Sequence, residues 1–118
     1  MKLIIAGSRT LKDTGLIDAA VDHYHLWDKI SEIVSGGARG IDQAAIEYAS
    51  EANSPCKVFP ADWEQYGKSA GYIRNVEMAT YADALLAIWD GHSKGTLHMI
   101  TEMHKRNKPV HVMEVYFK

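Results

Sequence analysis

The sequence predicts an α/β fold in which helices cover both faces of a parallel sheet. Short runs of consecutive apolar residues alternate along the chain with longer segments in which apolar residues recur every three or four positions. Unbroken apolar runs are typical of strands that are buried on both faces. Because strands and helices alternate, we expect right-handed βαβ connections between strands.

The first half of the chain holds three predicted strands and two predicted helices. Residues 2–6 and 30–35 are apolar runs, and each is followed directly by glycine. Between them, residues 13–27 carry apolar side chains at helical spacing. Residues 41–52 repeat that spacing and end shortly before a proline. Residues 57–60 form a third, shorter strand.

The second half continues the same alternation. Residues 69–81 have an apolar helical face, residues 84–89 are an apolar run, residues 96–106 form a fourth helix and residues 110–115 a fifth strand. These elements predict a three-layer Rossmann-like fold with five parallel strands in the order 3-2-1-4-5. The flavodoxin-like order 2-1-3-4-5 is the alternative.

Length and composition predict a single domain over residues 1–118. Of the 118 residues, 47% are hydrophobic and 24% charged, as in ordinary globular proteins. The formal net charge of −2 argues against binding duplex nucleic acid, which needs clustered Lys and Arg. Cys56 is the single cysteine and cannot form an internal disulfide, so we expect a cytoplasmic protein. The apolar runs are too short to span a membrane.

Small, polar and basic residues follow the predicted strands. In open α/β sheets, ligands bind beyond the carboxyl ends of the strands, near the point where the strand order reverses. Glycine lets the backbone approach a phosphate closely, and helix N-termini offer free N–H groups to it. The sequence therefore predicts a cleft for a phosphorylated ligand. The candidate contacts after the strands are Gly7, Ser8, Arg9, Ser35, Gly36, Gly37, Arg39, Asp42, Asp90, Ser93, Lys94, Gly95 and Thr96.

Two common nucleotide-binding motifs do not fit this chain. Residues 67–69 (GKS) resemble the end of a Walker A loop, but the earlier glycine of that motif would fall at Asp62. The first βα turn lacks the pattern G-x-G-x-x-G, and the second strand ends in Ser35 rather than an acid. We therefore do not expect a P-loop NTPase or an NAD dehydrogenase.

Five segments together resemble the SLOG superfamily, most closely its YspA-like branch of small phage and bacterial proteins. They are IAGSR at 5–9, VSGGARGID at 34–42, GYIRNVEMA at 71–79, DALLAIWDG at 83–91 and SKGT at 93–96. The resemblance covers nearly the whole chain and implies a Rossmann-like fold with a nucleotide-binding cleft. The superfamily also contains the LOG-type phosphoribohydrolases and the DNA-processing protein A, which binds single-stranded DNA.

The resemblance to the LOG-type enzymes implies a role for Arg74. In those enzymes an arginine precedes a Gly-Thr turn, which here is formed by Gly95 and Thr96. We therefore expect Arg74 to bind a ligand phosphate. The alternative is a helix-surface arginine that pairs with Glu77 or Asp83.

The same resemblance leaves the catalytic residues unknown. The paired glutamates that follow the turn in LOG-type enzymes fall at His98 and Met99 in this chain. Because this departure removes the expected acid, it argues against hydrolase activity. If the protein is a hydrolase, the candidate acid–base residues are Glu77, His98 and Glu102.

Other side chains have two interpretations. Asp42 lies in the first turn of the second helix, where it either complements the helix dipole or contacts a ribose or base. Trp63, Tyr66 and Trp89 either stack on a base or pack against protein. We expect Trp27, at the end of the first helix, and Cys56, in a buried strand, to be packing residues.

No cofactor or metal site is predicted. The chain contains six histidines, but only His98 and Glu102 share one helix face at the spacing of two metal ligands. A third ligand with suitable spacing is lacking.

The leading hypothesis is a protein that sequesters or senses a nucleotide or nucleotide-derived signal, with a phage counter-defence role as one version. The first alternative is a nucleoside-monophosphate N-glycosidase, and the second is a protein that binds single-stranded nucleic acid. Because members of this superfamily commonly pair, we also expect a homo-oligomer.

Overall fold

The computed structural model describes residues 1–115, in which five strands form one sheet. The strands are β1 (Lys2–Gly7), β2 (Glu32–Ser35), β3 (Cys56–Val58), β4 (Ala84–Trp89) and β5 (Val110–Glu114). Their order in the sheet is β3-β2-β1-β4-β5, and every neighbouring pair is parallel. The predicted order is confirmed, and the flavodoxin-like alternative is wrong.

Helices cover both faces of the sheet. They are α1 (Thr14–His23), α2 (Ile41–Glu51), α3 (Trp63–Tyr66), α4 (Ala70–Tyr81) and α5 (Lys94–Lys105), with a 3₁₀ turn at Gly67–Ser69. Alternate residues of β1 belong to two apolar clusters: Leu3 and Ile5 pack with α1 and α2. Ile4 and Ala6 pack with α4 and α5 on the opposite face. The three predicted layers are therefore present.

The central pair of strands, β1 and β4, is the point at which the strand order reverses. From β1 the chain continues to β2 and β3 on one side, and from β4 it continues to β5 on the other. Their register pairs Gly7 with Ile88, so the two strands end at nearly the same level. The connecting loops diverge there and leave a crevice between them.

The first helix is shorter than the sequence predicted. It ends at His23 rather than at Trp27. His25 adopts a left-handed φ of 53°, and the N–H of Leu26 donates to the carbonyl of Val21 at 2.9 Å. This turn buries Leu26 and leaves Trp27 70% exposed. The predicted packing role of Trp27 is therefore wrong, because the turn changes which side chains face the core.

The third strand lies at the edge of the sheet and is also shorter than predicted. It pairs on one side only, with β2, and its three residues are exposed. The predicted burial of Cys56 is therefore wrong. An edge strand is less buried than a central strand. The pattern of apolar residues does not indicate whether a short strand lies at the edge or in the centre of the sheet.

Two helix starts differ from the prediction because of capping side chains. The short helix α3 was not predicted; the Asp62 carboxylate accepts a hydrogen bond from the N–H of Gln65 at 3.1 Å and stabilises its start. Helix α5 begins at Lys94, two residues before the predicted start, because Ser93 is its N-cap. Within residues 1–115, the helices are too short or too polar to cross a membrane.

Candidate ligand-binding cleft

Three loops at the carboxyl ends of the strands meet around a narrow pocket, which we call the central pocket. The loops follow β1, β2 and β4, and α4 supplies one wall. The volume of the central pocket is about 50 Å³. Of the residues predicted to contact a ligand, those that line it are Gly7, Arg9, Asp42, Arg74, Ser93, Gly95 and Thr96.

Two glycines allow the loops to approach one another. A Cβ atom on Gly7 would lie 2.0 Å from the carbonyl oxygen of Ile88 on β4. Gly40 has a φ of 78°, and a Cβ atom there would lie 2.4 Å from the carbonyl oxygen of Ser8. In both cases the colliding atom belongs to the backbone, so any side chain would push the loops apart.

Two of the predicted contact residues are buried braces between loops. Ser8 is 1% exposed, and its Oγ accepts a hydrogen bond from the N–H of Asp90 at 2.9 Å. Ser35 is fully buried; its Oγ donates to the carbonyl of Asp42 at 2.7 Å and accepts from the N–H of Gly37 at 3.2 Å. These serines hold the shape of the cleft rather than line the central pocket.

Arg74 projects from α4 towards the loop after β2. It is 8% exposed; its Nη1 donates to the carbonyl of Gly36 at 2.5 Å, and its Nε donates to Oδ1 of Asn75 at 3.1 Å. Within residues 1–115 it forms no ion pair with Glu77 or Asp83. The structure therefore places this cation at the wall of the central pocket and not on the helix surface.

Asp42, on α2, is a buried carboxyl group that also lines the central pocket. Its Oδ2 accepts a hydrogen bond from the N–H of Ala38 at 3.3 Å. Burial raises the pKa of Asp42 to about 6, although the positive charge of Arg74 and the N–H groups of Ala38 and Gly7 favour ionisation. The central pocket therefore contains a carboxyl group that takes up a proton in mildly acidic solution.

The loop after β4 is organised around Asp90. The Oδ1 of Asp90 accepts hydrogen bonds from the N–H groups of His92 at 2.8 Å and Ser93 at 2.9 Å. These two bonds lower the pKa of the Asp90 carboxyl. Ser93 then caps α5 through the N–H of Thr96. Asp90 thus shapes the loop, and the first turn of α5 faces the central pocket.

The other predicted contacts are more distant from the central pocket. Gly36 and Gly37 line a neighbouring pocket. Arg39 and Lys94 are exposed and line neither the central pocket nor the pockets beside it. The three loop cations predicted to contact a ligand therefore do not converge, because Arg9 borders the central pocket and Arg39 and Lys94 do not.

Sequence reasoning did not identify Asn75 as a pocket residue. It is 6% exposed and lines the central pocket, and its Nδ2 donates to the carbonyl of Gly95 at 3.2 Å. The same nitrogen lies 3.2 Å from Nδ1 of His98. Asn75 therefore links α4 to the first turn of α5. In the sequence, only its position next to Arg74 indicated that Asn75 could lie at the pocket.

The three candidate acid–base residues lie outside the lining of the central pocket. Glu77 is exposed on α4. Glu102 pairs with Lys105 at 3.1 Å, and its Oε1 lies 3.9 Å from Nε2 of His98. Burial lowers the pKa of His98, although the nearby Glu102 opposes that shift. The carboxyl group that does line the pocket is Asp42. No cluster of His, Cys, Asp or Glu suited to a metal ion occurs within residues 1–115.

Two larger pockets adjoin the central pocket. One has a volume of about 170 Å³ and is lined by Arg9, Lys68 and Tyr72, among others. The other has a volume of about 230 Å³ and is lined by Gly37, Val58 and Pro60, among others. Arg74 lines all three pockets, and Trp63 lines both of the larger ones. The two larger pockets therefore both border the guanidinium of Arg74.

This sheet order and the glycine-rich loops at its strand ends define a Rossmann-like α/β protein. The chain belongs to the YspA, cpYpsA-related SLOG family, whose model matches residues 1–66. The matched part includes β1, β2 and β3 and the loops after the first two strands.

Two further proteins are similar to this chain. The chain is 40% identical over 116 residues to the Gene 61 protein of Mycobacterium phage D29, which covers 92% of this chain and 93% of the phage protein. It also resembles the X-ray structure of DNA processing protein A (DprA) from Streptococcus pneumoniae, with a TM-score of 0.77 and 18% identity. That match covers 98% of this chain but 51% of the DprA chain, and at this identity it establishes the fold alone.

Proposed function

We propose that this protein binds a nucleotide or nucleotide-derived signalling ligand in the cleft at the strand ends. The observation that carries the proposal is the position of the Arg74 guanidinium, buried at the junction of three pockets. A guanidinium in a partly dehydrated site forms strong, directional hydrogen bonds to phosphate oxygens. Arg9 and the first turn of α5 border the same pocket and favour an anion there.

The charges of the chain favour a small ligand over a long polyanion. The net charge is −2, and Arg39 and Lys94 are separate from the cations in the cleft. A protein that binds duplex nucleic acid neutralises many phosphates along an extended basic surface. A few donors around one pocket suffice for a phosphorylated small molecule, which is the ligand class that we propose.

The phage relative suggests a biological setting for such a protein. A phage-encoded binder would lower the free concentration of a nucleotide signal produced by the host, and so suppress the response to it. This counter-defence role is part of our proposal, as are a cytoplasmic location and assembly into a homo-oligomer. Light scattering coupled to size-exclusion chromatography measures the oligomeric state directly.

Ligand capture tests the proposal. We expect a mono-, di- or cyclic nucleotide, or an ADP-ribose derivative, to appear by mass spectrometry when the purified protein is denatured. Added at about 100 times its dissociation constant, that ligand should raise the free energy of unfolding by roughly 2.7 kcal/mol. A thermal-shift panel of these compounds that leaves the melting temperature unchanged would refute the proposal.

A nucleotide N-glycosidase is the second candidate, and Asp42 is the observation that favours it. A carboxyl group with a pKa of about 6 in a cleft has the acidity of a general acid. We nevertheless expect no release of base from AMP when ribose 5-phosphate and adenine are followed by chromatography. If release occurs, Asp42→Asn should abolish it and Glu102→Gln should not, because Glu102 is held by Lys105 outside the pocket lining.

A further inference from the structure

Trp63 borders two spaces that open onto the same cation, Arg74. It is the first residue of α3, it is 53% exposed, and it lines both of the larger pockets. One pocket is also lined by Lys68 and Tyr72. The other is also lined by Val58 and Pro60. We call these spaces the Tyr72 pocket and the Pro60 pocket.

The sizes of the three pockets differ in a way that matches a ligand with parts of different size. The central pocket, at about 50 Å³, is the smallest of the three. The Tyr72 pocket is about 170 Å³ and the Pro60 pocket about 230 Å³. Each of these has room for a sugar or a base.

The exposed indole of Trp63 lies beside the start of α4. A Cβ atom on Gly71 would be in ordinary van der Waals contact with Cη2 of Trp63, at 3.7 Å. Tyr72 is 48% exposed, and its ring packs edge-on against His98 with a centroid distance of 4.6 Å. Exposed aromatic rings beside a cation are the surroundings in which nucleic-acid bases stack.

We infer that Trp63 is a stacking residue and that the ligand is a nucleotide with two ring groups joined through phosphate. The phosphate lies at Arg74, one ring group lies in the Tyr72 pocket, and the other lies in the Pro60 pocket. This inference rests on the proposed nucleotide binding and specifies its ligand class. Single-stranded nucleic acid also places phosphate between two rings, but the net charge of −2 favours the small molecule.

Calorimetry on the purified full chain tests this assignment with four probes. They are inorganic pyrophosphate, AMP, ADP-ribose and a ten-residue oligothymidylate. We expect ADP-ribose to bind at least tenfold more tightly than AMP, because only ADP-ribose fills both pockets. Pyrophosphate should bind most weakly of the three small probes, and the oligothymidylate should bind more weakly than ADP-ribose.

Substitutions at Trp63 identify the stacking contact. Trp63→Ala should weaken ADP-ribose binding about tenfold or more and leave pyrophosphate binding unchanged. Trp63→Phe, which keeps an aromatic face, should stay within about threefold of the unmodified protein. Trp27→Ala is the matched control, since Trp27 is also exposed but lines none of the three pockets, and it should not alter binding.

The outcomes separate this inference from the proposed function. If ADP-ribose binds and Trp63→Ala binds it equally well, the stacking role is wrong and the nucleotide-binding proposal stands. Equal affinity for AMP and ADP-ribose would overturn the two-ring ligand class alone. If Trp63→Ala does not fold, Trp63→Phe decides, because a loss of more than tenfold there contradicts simple stacking. Tighter binding of the oligothymidylate than of ADP-ribose would replace the small molecule by single-stranded nucleic acid. Failure of all four probes would overturn the two-ring ligand class, and the thermal-shift panel of nucleotides would then decide whether the proposed nucleotide binding stands.

Discussion

The two most exposed tryptophans of the chain lie in opposite electrostatic surroundings. Trp63, 53% exposed, borders the cleft together with Arg9, Lys68 and Arg74. Trp27, 70% exposed, borders a depression of about 370 Å³ beside α1 with two aspartates, Asp18 and Asp22. An exposed indole can stack on a base at either place, but a phosphate is attracted by the first and repelled by the second. Exposure alone therefore does not indicate a nucleotide site, and the charges beside the ring decide.

The two regions also differ in how firmly their shape is fixed. The cleft is built from loops that touch through glycines, buried serine hydroxyls and the bond from Arg74 to Gly36. The depression at Trp27 lies beside an exposed turn at the end of α1. Changes to these loop contacts should therefore affect folding and binding together, and changes at Trp27 should affect neither strongly.

The largest expected effect is on stability, at the closest contact of the cleft. Gly7→Ala places a Cβ atom 2.0 Å from the carbonyl oxygen of Ile88, and the two central strands must separate. We expect it to lower the free energy of unfolding by roughly 3 kcal/mol or more. Gly95→Ala is the control, since a Cβ atom there meets nothing within 4 Å and alanine favours the first turn of α5. Urea unfolding measures both; equal losses would mean that backbone contact does not set the shape of the cleft.

The next effect is on binding and compares two arginines. Arg74→Ala should weaken nucleotide binding by about 1.5 to 3 kcal/mol, the range for a hydrogen bond to a charged group. It should also cost some stability, because the carbonyl of Gly36 loses its partner. Arg39→Ala should change binding less than threefold, since Arg39 is exposed and lines none of the three pockets. Titration calorimetry in which the two variants behave alike would show that overall charge, not position, attracts the ligand.

A smaller effect is the pH dependence that Asp42 produces. Its pKa is about 6 in the folded protein against 3.8 as the ordinary value, so the folded state binds a proton that the unfolded state has released between these pH values. Stability should therefore fall as pH rises from about 4 to about 6, by up to roughly 3 kcal/mol. Asp42→Asn should remove this fall.

Ligand affinity should also depend on the protonation of Asp42, at pH values around its folded pKa of about 6. Protonation below about pH 6 removes a negative charge beside the bound phosphate, so affinity should increase several-fold between pH 7.5 and pH 5.5. Asp42→Asn should bind with an affinity that is nearly independent of pH over this range. If the asparagine variant retains the full pH dependence, another group is responsible for it.

The smallest effect is expected at Trp27, the exposed tryptophan outside the cleft. Trp27→Ala should change nucleotide affinity less than twofold, because two aspartates rather than cations flank this side chain. Its stability should also change by less than about 0.5 kcal/mol, as expected for an exposed residue. A clear loss of affinity would move the binding site to the face formed by α1.

The strand order could be predicted because the pattern that indicates each strand lies within that strand and recurs five times along the chain. Apolar runs without alternation indicate buried parallel strands, and the handedness of βαβ connections restricts the remaining topologies. Sequence reasoning missed α3 although Asp62 is a capping residue, since four helical residues leave no periodic pattern. It also misjudged Trp27 and Cys56, because a turn and an edge position decide their exposure.

Only some residues of the site could be predicted from the sequence. The glycines and serines after the strands were recognisable because a close loop contact restricts the residue type to a few choices, as at Gly7. The cations were harder to assign, because an arginine fits equally well on a surface or at a pocket wall. No sequence motif identified Asn75 as a pocket residue. The raised pKa of Asp42 could not be predicted either, because Asp42 becomes buried only when α2 and α4 pack on the sheet.

The sequence by itself therefore determined the alternation of strands and helices, the glycines of the loops and the absence of the paired glutamates at His98 and Met99. The tertiary structure alone decided which side chains meet: Arg9 and Arg74 at the pocket, with Arg39 and Lys94 outside it. The physical reason is that a residue's type fixes its chemistry and local conformation. The direction of its side chain, its burial and its electrostatic neighbours depend on segments that are distant in sequence.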